Sequence, residues 1–473
     1  GQVLRGLGAL EHPPDWFWEL ADASKMRAGL TNIIEELASG EVKLLDCKIG
    51  RLRLKDDYCL LSLSLVLNAG GREQEFLFDG EVFPPGTTPP RVQSPAAFGD
   101  PGWTASIPPM RLVLRARGLR AHGGDAALPE LSTLLDPVRA RALLEEAIRD
   151  QSPYTDFRIV SCAPRVARYK RLNRCTIVYD LELARGADPH WPRRVVVKIY
   201  HGNKGHVAHR AMHALWNSSF RARGSVAIAE PLSFLPEKRI LIQGPVPGSV
   251  TIKDLVKQAF RAPAAEKFEE LEDYMESAGA GLAGLHGSGV TAHQTLSWEE
   301  ERSAVEELAG RLSRVQSGIR EAVAPLTQRL QLTQSRLRPD GIVPSHGSFR
   351  PAQVLVHDGK VGFIDFDGFC RSEPALDIAL FCASVRDAGL RAVEPKEDAD
   401  LSAGLERLDS LCDAFLGAYE ALRPVSRERI AVWEALDVLT NVLHCWSKVK
   451  PDRLPHRSLL LRRVMRRELW ATV

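Results

Sequence analysis

The chain has no apolar run close to the ~20 residues that span a bilayer, so no membrane partner is expected. It has no Cys-x-x-Cys pair, and its eight cysteines are scattered without zinc spacing. They read as reduced thiols, which fits a cytoplasmic protein better than a disulfide framework. A strong charge bias is missing as well. The formal net charge is +2, which gives no global field to argue for nucleic acid. Gly1 to Arg5 contain no signal-peptide h-region.

What is present is ordinary globular composition, with 44% apolar and 26% charged residues. A length of 473 residues is too great for one small core, so two or three domains are expected. Residues 15–39 carry apolar positions at roughly helical spacing, closed by Gly40. Three strand-like runs follow, at 42–54, 58–67 and 73–83, so a small α+β unit is expected. Residues 84–109 are rich in Pro, Gly and Ser and read as a linker or surface loop. Met110 to Ala116 reads as one more strand, and 128–149 as a helix with Leu134, Val138 and Ala142 on its apolar side.

The most informative stretch lies later. Ser345-His346-Gly347-Ser348-Phe349-Arg350 precedes two short β-branched runs, Val354 to Val356 and Val361 to Ile364. A turn at Asp358-Gly359-Lys360 separates them, and Asp365 ends the second. Such a hairpin brings the loop before its first strand near the end of its second. Ser348 and Gln353 are therefore expected close to Asp365.

This arrangement resembles the aminoglycoside phosphotransferase and choline kinase superfamily, relatives of protein kinases. The family carries His-Gly-Asp, an Asn or Gln five residues after that Asp, and Ile-Asp about a dozen residues on. The match here is His346-Gly347-Ser348, Gln353 and Ile364-Asp365. The resemblance implies magnesium on Gln353 and Asp365, with His346, Ser348 and Arg350 around the acceptor hydroxyl. The family's base position holds serine, and a lone hydroxyl is no base at neutral pH. Asp377, in Pro374-Ala375-Leu376-Asp377-Ile378-Ala379, matches a carboxylate that braces the catalytic loop. Asp367 is a second supporting carboxylate, and Glu373 stands where the family has aspartate.

Upstream features fall in kinase order. The runs 157–169 and 175–183 flank the turn Lys170-Arg171-Leu172-Asn173-Arg174, which has no glycine. Lys170, Arg171 and Arg174 are expected to hold phosphates there, the alternative being a solvated basic turn. Lys198 sits in the apolar run Val195-Val196-Val197-Lys198-Ile199-Tyr200 and resembles the kinase lysine that holds the α- and β-phosphates. From Lys204 to Gly224 there is no acidic residue to pair with it, only His206, His209 and His213 among its titratable neutral groups. Asp365 is then the expected partner of Lys198. Ile240 to Gly248, with Gln243, fits a hinge against adenine.

From Ile252 onward the chain reads as helical. Ala278 to Leu285 is rich in small residues, which suits close packing beneath the catalytic loop; His286 reads as structural. Residues 297–337 read as a helical insertion, and 405–422 and 427–446 as two late helices. The basic tail, 457–470, is expected to pack its apolar face on the large lobe. Asp413, Glu420, Glu434 and Asp437 are either ordinary helix charges or an attraction for an amine-bearing acceptor.

The fold expected is α+β: a two-lobed protein-kinase-like fold with a β-rich small lobe, a helical large lobe and an N-terminal α+β cap domain. Its expected boundaries are 1–125 for the cap and linker, 126–244 for the small lobe and 245–473 for the large lobe. The function implied is an ATP- and magnesium-dependent phosphotransferase acting on a small-molecule hydroxyl, impaired by Ser348. The alternative is a nucleotide-binding pseudokinase, a scaffold or regulator, and a further one is a serine introduced to trap a complex. The partners implied are a nucleotide and an unidentified small-molecule acceptor, with oligomeric state left open.

Overall fold

The structure, a computed structural model, describes residues 7–55, 57–69, 71–93, 96–119, 125, 127–170, 172–393, 398–467 and 470. The chain forms two compact units. One comprises 1–122, 298–337 and 435–473; the other comprises 123–297 and 338–434.

The first unit is built on an antiparallel sheet of β1 (Val42–Leu54), β2 (Cys59–Ala69), β3 (Arg72–Val82), β4 (Thr104–Ile107) and β5 (Leu112–Leu119), in the order β1-β2-β3-β5-β4. Alternation along β2 buries Leu61, Leu63, Leu65 and Leu67 on one face. The segment 15–39 is not one helix. Asp22 caps the helix Ala23–Ile33 by accepting from the Ser24 and Lys25 amides, and extended backbone at Ile34 ends it. Strand β4 lies in the stretch read as a loop. Its partner is β5, and no local period announces that pairing.

Two later segments, read in sequence as part of the large lobe, group with this unit. Trp446, fully buried, packs on Phe17 at 4.9 Å between ring centroids and donates its indole N–H to the Leu10 carbonyl at 3.0 Å. Arg462 pairs with Glu11. The tail helix Leu454–Val464 buries Leu460, Leu461 and Val464.

The second unit has a β-rich lobe and a helical lobe, the two-lobed arrangement expected. The small-lobe sheet comprises β6 (Ile159–Lys170), β7 (Arg174–Leu183), β8 (Arg194–Tyr200), β10 (Pro231–Leu235) and β11 (Ile240–Gln243), in the order β10-β11-β8-β7-β6. Its inner face packs on the helix Pro137–Gln151 through Leu144, Ile148, Ile177 and Val197. The helix expected over 128–149 breaks at Asp136, which caps the second piece. That break rotates the buried face: Ala140, Leu144 and Ile148 point inward, and Val138 is 72% exposed.

In the large lobe, β9 (Val226–Ile228) runs parallel to β15 (Lys360–Phe363), which pairs with β14 (Val354–His357). Beyond β14 lies β12 (Val250–Thr251), and β13 (Val343–Ser345) pairs with β16 (Cys370–Ser372). The glycines of the helix Ala265–His286 permit its packing. A Cβ at Gly279 would lie 2.0 Å from the Phe415 carbonyl oxygen, and one at Gly281 would lie 2.5 Å from Val226. No helix among the described residues is long and apolar enough to cross a membrane.

The acidic side chains of the late helices are largely engaged. Glu420 pairs with Arg427, and Glu434, 4% exposed, pairs with Arg386. Glu373 forms a two-point ion pair with Arg429, whose side chain is 1% exposed. Removing one partner of a buried pair leaves a charge in a dry site. Glu373→Ala is therefore expected to lower stability by about 3–5 kcal/mol, read as a fall in the urea midpoint. A loss below about 1 kcal/mol would show that Arg429 finds another anion or water.

Candidate functional site

The site is assembled by the hairpin β6–β7, strand β8, the loop 345–353 and the end of β15. β14 and β15 pair in register, Val354 with Phe363, and the Ile364 amide donates to the Gln353 carbonyl at 3.0 Å. Gln353 and Asp365 are thereby brought to the same end of the hairpin. Asp365 itself holds φ 71° and ψ 55°, a left-handed conformation uncommon for a residue with a side chain. Gly347 also has positive φ, at 73°, and a Cβ there would lie 2.0 Å from the Gly368 carbonyl oxygen. Any other residue would push the loop away from the turn that follows Asp365.

Asp377 holds the backbone of the loop 345–353. It is fully buried, and its carboxylate accepts from the amides of His346 at 2.6 Å, Gly347 at 2.9 Å and Phe349 at 3.4 Å. His286 Nε2 lies 3.2 Å from the same carboxylate, and His286 Nδ1 lies 2.8 Å from the Tyr419 hydroxyl. Burial works to raise the Asp377 carboxyl, but the bonds it accepts from His286 and from the His346 amide outweigh burial and lower it. The group stays ionised and keeps its hold on the loop.

Four charges meet above the loop. Lys198 Nζ lies 3.1 Å from Asp365 Oδ1 and 3.7 Å from Asp367 Oδ1. Arg174 reaches Asp365 with both terminal nitrogens, at 3.0 and 3.2 Å, and also donates to Asp367. Tyr200 donates to Asp367 Oδ1 at 2.9 Å. Burial would raise the Asp365 carboxyl, yet Lys198 and Arg174 outweigh it and hold the group far below the usual carboxylate range. Asp367 goes the other way. Burial, aided by the Asp365 charge, raises it despite Lys198 and Arg174. Tyr200 was not singled out in sequence, though it lies two residues after Lys198 on one strand, hence on the same face.

The basic turn does without glycine because Leu172 itself adopts φ 56°. Asp125 anchors it, accepting from the Leu172 amide at 2.9 Å and the Tyr169 hydroxyl at 2.8 Å. Lys170 is exposed beside the site, and burial of its stem with the charges of Arg168 and Arg174 pushes its pKa down. Arg171 lies outside the described residues. The helix Lys204–Trp216 supplies no carboxylate to Lys198. Its His209 stacks on Phe234 at 5.4 Å, and burial with His213 and His206 lowers it to about 4.

A cleft of about 1270 Å³ opens beside this cluster. Arg174, Lys198, Gln243 and Asp365 line it, together with Arg165 and Arg168 of β6, which sequence reading had passed over. Gln243 is buried with its Oε1 unpartnered. Arg350 Nη1 donates to Ser384 Oγ at 2.5 Å. Ser348 Oγ lies 3.4 Å from both His346 Nδ1 and Gln353 Nε2.

Residues 183–411 match the model of the phosphotransferase enzyme family, APH. No curated protein matches the chain. A glucosamine kinase bound to glucosamine, ADP and inorganic phosphate is similar in structure, at 15% identity and a TM-score of 0.46, over 96% of this chain and all of that one. A choline/ethanolamine kinase family protein from Mesorhizobium loti gives 14% identity and 0.44 over 65% of this chain and 90% of that one. Choline kinase from Cryptosporidium parvum Iowa II gives 10% and 0.46 over 70% and 97%.

The four-charge cluster makes a testable demand. Lys198→Met would leave two carboxylates facing one guanidinium, and stability at neutral pH is expected to fall by about 1–3 kcal/mol. Asp367 already titrates higher folded than free. A group of that kind adds stability below its folded pKa and loses it as pH rises through that value. Removing a cation raises Asp367 further, so the deficit of Lys198→Met should shrink as pH falls toward the carboxylate range. Thermal melts of both proteins over that range check this. A constant deficit would assign Lys198 to packing alone.

Proposed function

We propose that this chain is an ATP- and magnesium-dependent phosphotransferase acting on the hydroxyl of a small molecule. The observation that carries the reading is Gln353 Oε1, buried and unpartnered beside the strand end that presents Asp365. A buried amide oxygen without a donor is costly unless something occupies it. Hard divalent cations take carboxylate and amide oxygens, so Gln353 and Asp365 fit magnesium. When bound, magnesium would supply neutralisation of the charge on the transferring phosphoryl group.

The chain's own residues would do the rest. Lys198 and Arg174, now on Asp365, would turn to phosphate oxygens, with Arg165, Arg168 and Lys170 extending the basic wall. Gln243, with its unpartnered oxygen in the cleft, would meet the base. Asp377 would keep the loop backbone still, and Ser348 would meet the acceptor. Phosphoryl transfer depends mostly on positioning and charge, so a weak base slows it without ending it. General-base help is worth roughly 10²–10⁴-fold, about 3–5 kcal/mol of barrier.

Titration calorimetry tests the nucleotide reading. ATP should bind more tightly with magnesium than without, and Asp365→Ala should remove most of that difference. Equal affinity with and without magnesium in both proteins would overturn the metal assignment.

A second reading, a nucleotide-binding pseudokinase, is favoured by the serine at the family's carboxylate position. Ser348→Asp separates the two. A restored carboxylate accepts the acceptor's proton, at the cost of negative charge near Asp365. We expect ATP turnover, measured as ADP release with water or a hydroxyl acceptor, to rise by at least ~10-fold. Unchanged turnover with magnesium-ATP binding intact would favour the pseudokinase.

A further inference from the structure

The phosphotransferase reading leaves the acceptor's proton without an evident destination. His346 offers one. Its ring is fully buried between Phe349 and Phe366, with centroids 5.5 and 4.9 Å away. Nε2 lies 3.0 Å from the Ile364 carbonyl oxygen, which only accepts, so Nε2 carries a proton. A neutral ring then presents a lone pair at Nδ1, and Ser348 Oγ stands 3.4 Å from it. Burial lowers the imidazole's pKa despite the charge of Asp377, which keeps the resting ring neutral. Gln353 Nε2 donates to Ser348 Oγ at 3.4 Å. With one bond accepted from Gln353, the serine proton is directed at His346, and a second lone pair on Oγ is left. Ser348 is half-buried, so that lone pair is reachable by an acceptor.

We propose that Ser348 and His346 form a proton relay that replaces the missing carboxylate base. The idea rests on the phosphotransferase reading above. As the acceptor oxygen bonds to the γ-phosphorus of a nucleoside triphosphate, the bond from that phosphorus to the β,γ-bridging oxygen breaks. The acceptor's proton passes to Ser348 Oγ, and the serine's own proton passes to His346 Nδ1. The nucleoside diphosphate leaves with the bond's electron pair. The imidazolium keeps its Nε2 bond to Ile364, and returns its proton through Ser348 to water once the product has gone. Ser348 is the catalytic residue here; His346 acts through it as a positioning residue and proton store. The sequence pairs them two residues apart, with Gly347 turning the chain so that both side chains meet.

Two measurements test the relay. The first needs no acceptor: nitrogen NMR of protein with ¹⁵N-labelled histidine, the His346 signals identified by their loss in His346→Gln. The relay requires the Nε2–H tautomer and an Nδ1 resonance that shifts in Ser348→Ala. An Nδ1–H tautomer, or an Nδ1 resonance unmoved by Ser348→Ala, overturns it. The second is ADP release from magnesium-ATP with water as acceptor. Ser348→Ala and His346→Gln should each lower turnover at least ~10-fold. Placed on Ser348→Asp, where a carboxylate takes the proton, His346→Gln should cost less than about 3-fold. Equal losses in both backgrounds would make His346 merely structural, and if His346→Gln does not fold, Ser348→Ala with intact turnover overturns the relay by itself. No turnover in a protein that binds magnesium-ATP overturns the relay and leaves the binding reading standing. Failure to bind the nucleotide at all overturns both.

Discussion

The site depends on the charge balance around Asp365. Two carboxylates, Asp365 and Asp367, face two cations, Lys198 and Arg174, in a region where every one of the four side chains is less than a fifth exposed. Buried charges are tolerated only in such company. The pairs also tie elements distant in sequence: a strand and a hairpin of the small lobe are held to the turn after β15. Asp365 adopts its left-handed backbone at a cost of order 1–3 kcal/mol, and the two-point bond to Arg174 with the bond to Lys198 offsets it. The strain and the ion pairs therefore belong to one arrangement.

Much of the small lobe and the loop was legible because their signals are local. Val195 to Ile199 is an apolar run interrupted by one lysine, and a lysine inside such a strand demands an anion; it lies 3.1 Å from Asp365, the carboxylate expected for it. His-Gly-Ser, Gln353 and Asp365 were readable because a short hairpin turns spacing into proximity. Asp377 could be placed under the loop because its neighbours carry a family pattern. What sequence did not show were choices between equal local options. Residues 15–39 have helical spacing throughout, but the Asp22 side chain favours a new helix start over continuation. The same competition at Asp136 turned the face of the next helix and left Val138 in solvent. The pairing of β4 with β5 crosses a stretch with no period, so nothing short-range could reveal it. The grouping of 298–337 and 435–473 with the N-terminal segment rests on contacts such as Trp446 with Phe17. Those depend on hundreds of residues of intervening chain.

The helical part of the site is organised by a different device, one of space rather than charge. Gly279 and Gly281 remove side chains where the helix Ala265–His286 meets the Phe415 backbone and Val226. That approach carries His286 to Asp377 and Tyr419, and so completes the buried acceptor that holds three loop amides. A bulkier residue at Gly279 would act on the loop through His286 although it touches no reacting group. The small-residue run looked like a packing signal, and its consequence is the orientation of the loop's N–H groups.

The four-charge cluster also constrains how a nucleotide would enter. Both oxygens of Asp365 already accept from cations, Oδ1 from Arg174 and Lys198 and Oδ2 from Arg174. A divalent cation on Asp365 would have to displace at least the guanidinium, because like charges at that distance repel strongly in a poorly solvated site. Arg174 then needs another anion, and the phosphate chain is the one the same event delivers. Lys198 faces the same exchange. A triphosphate brings more negative charge than one divalent cation removes, so the exchange leaves a surplus that Arg165, Arg168 and Lys170 stand ready to meet. Nucleotide and metal would then enter together: the metal alone would strand two cations, and the nucleotide alone would leave Asp365 to repel it.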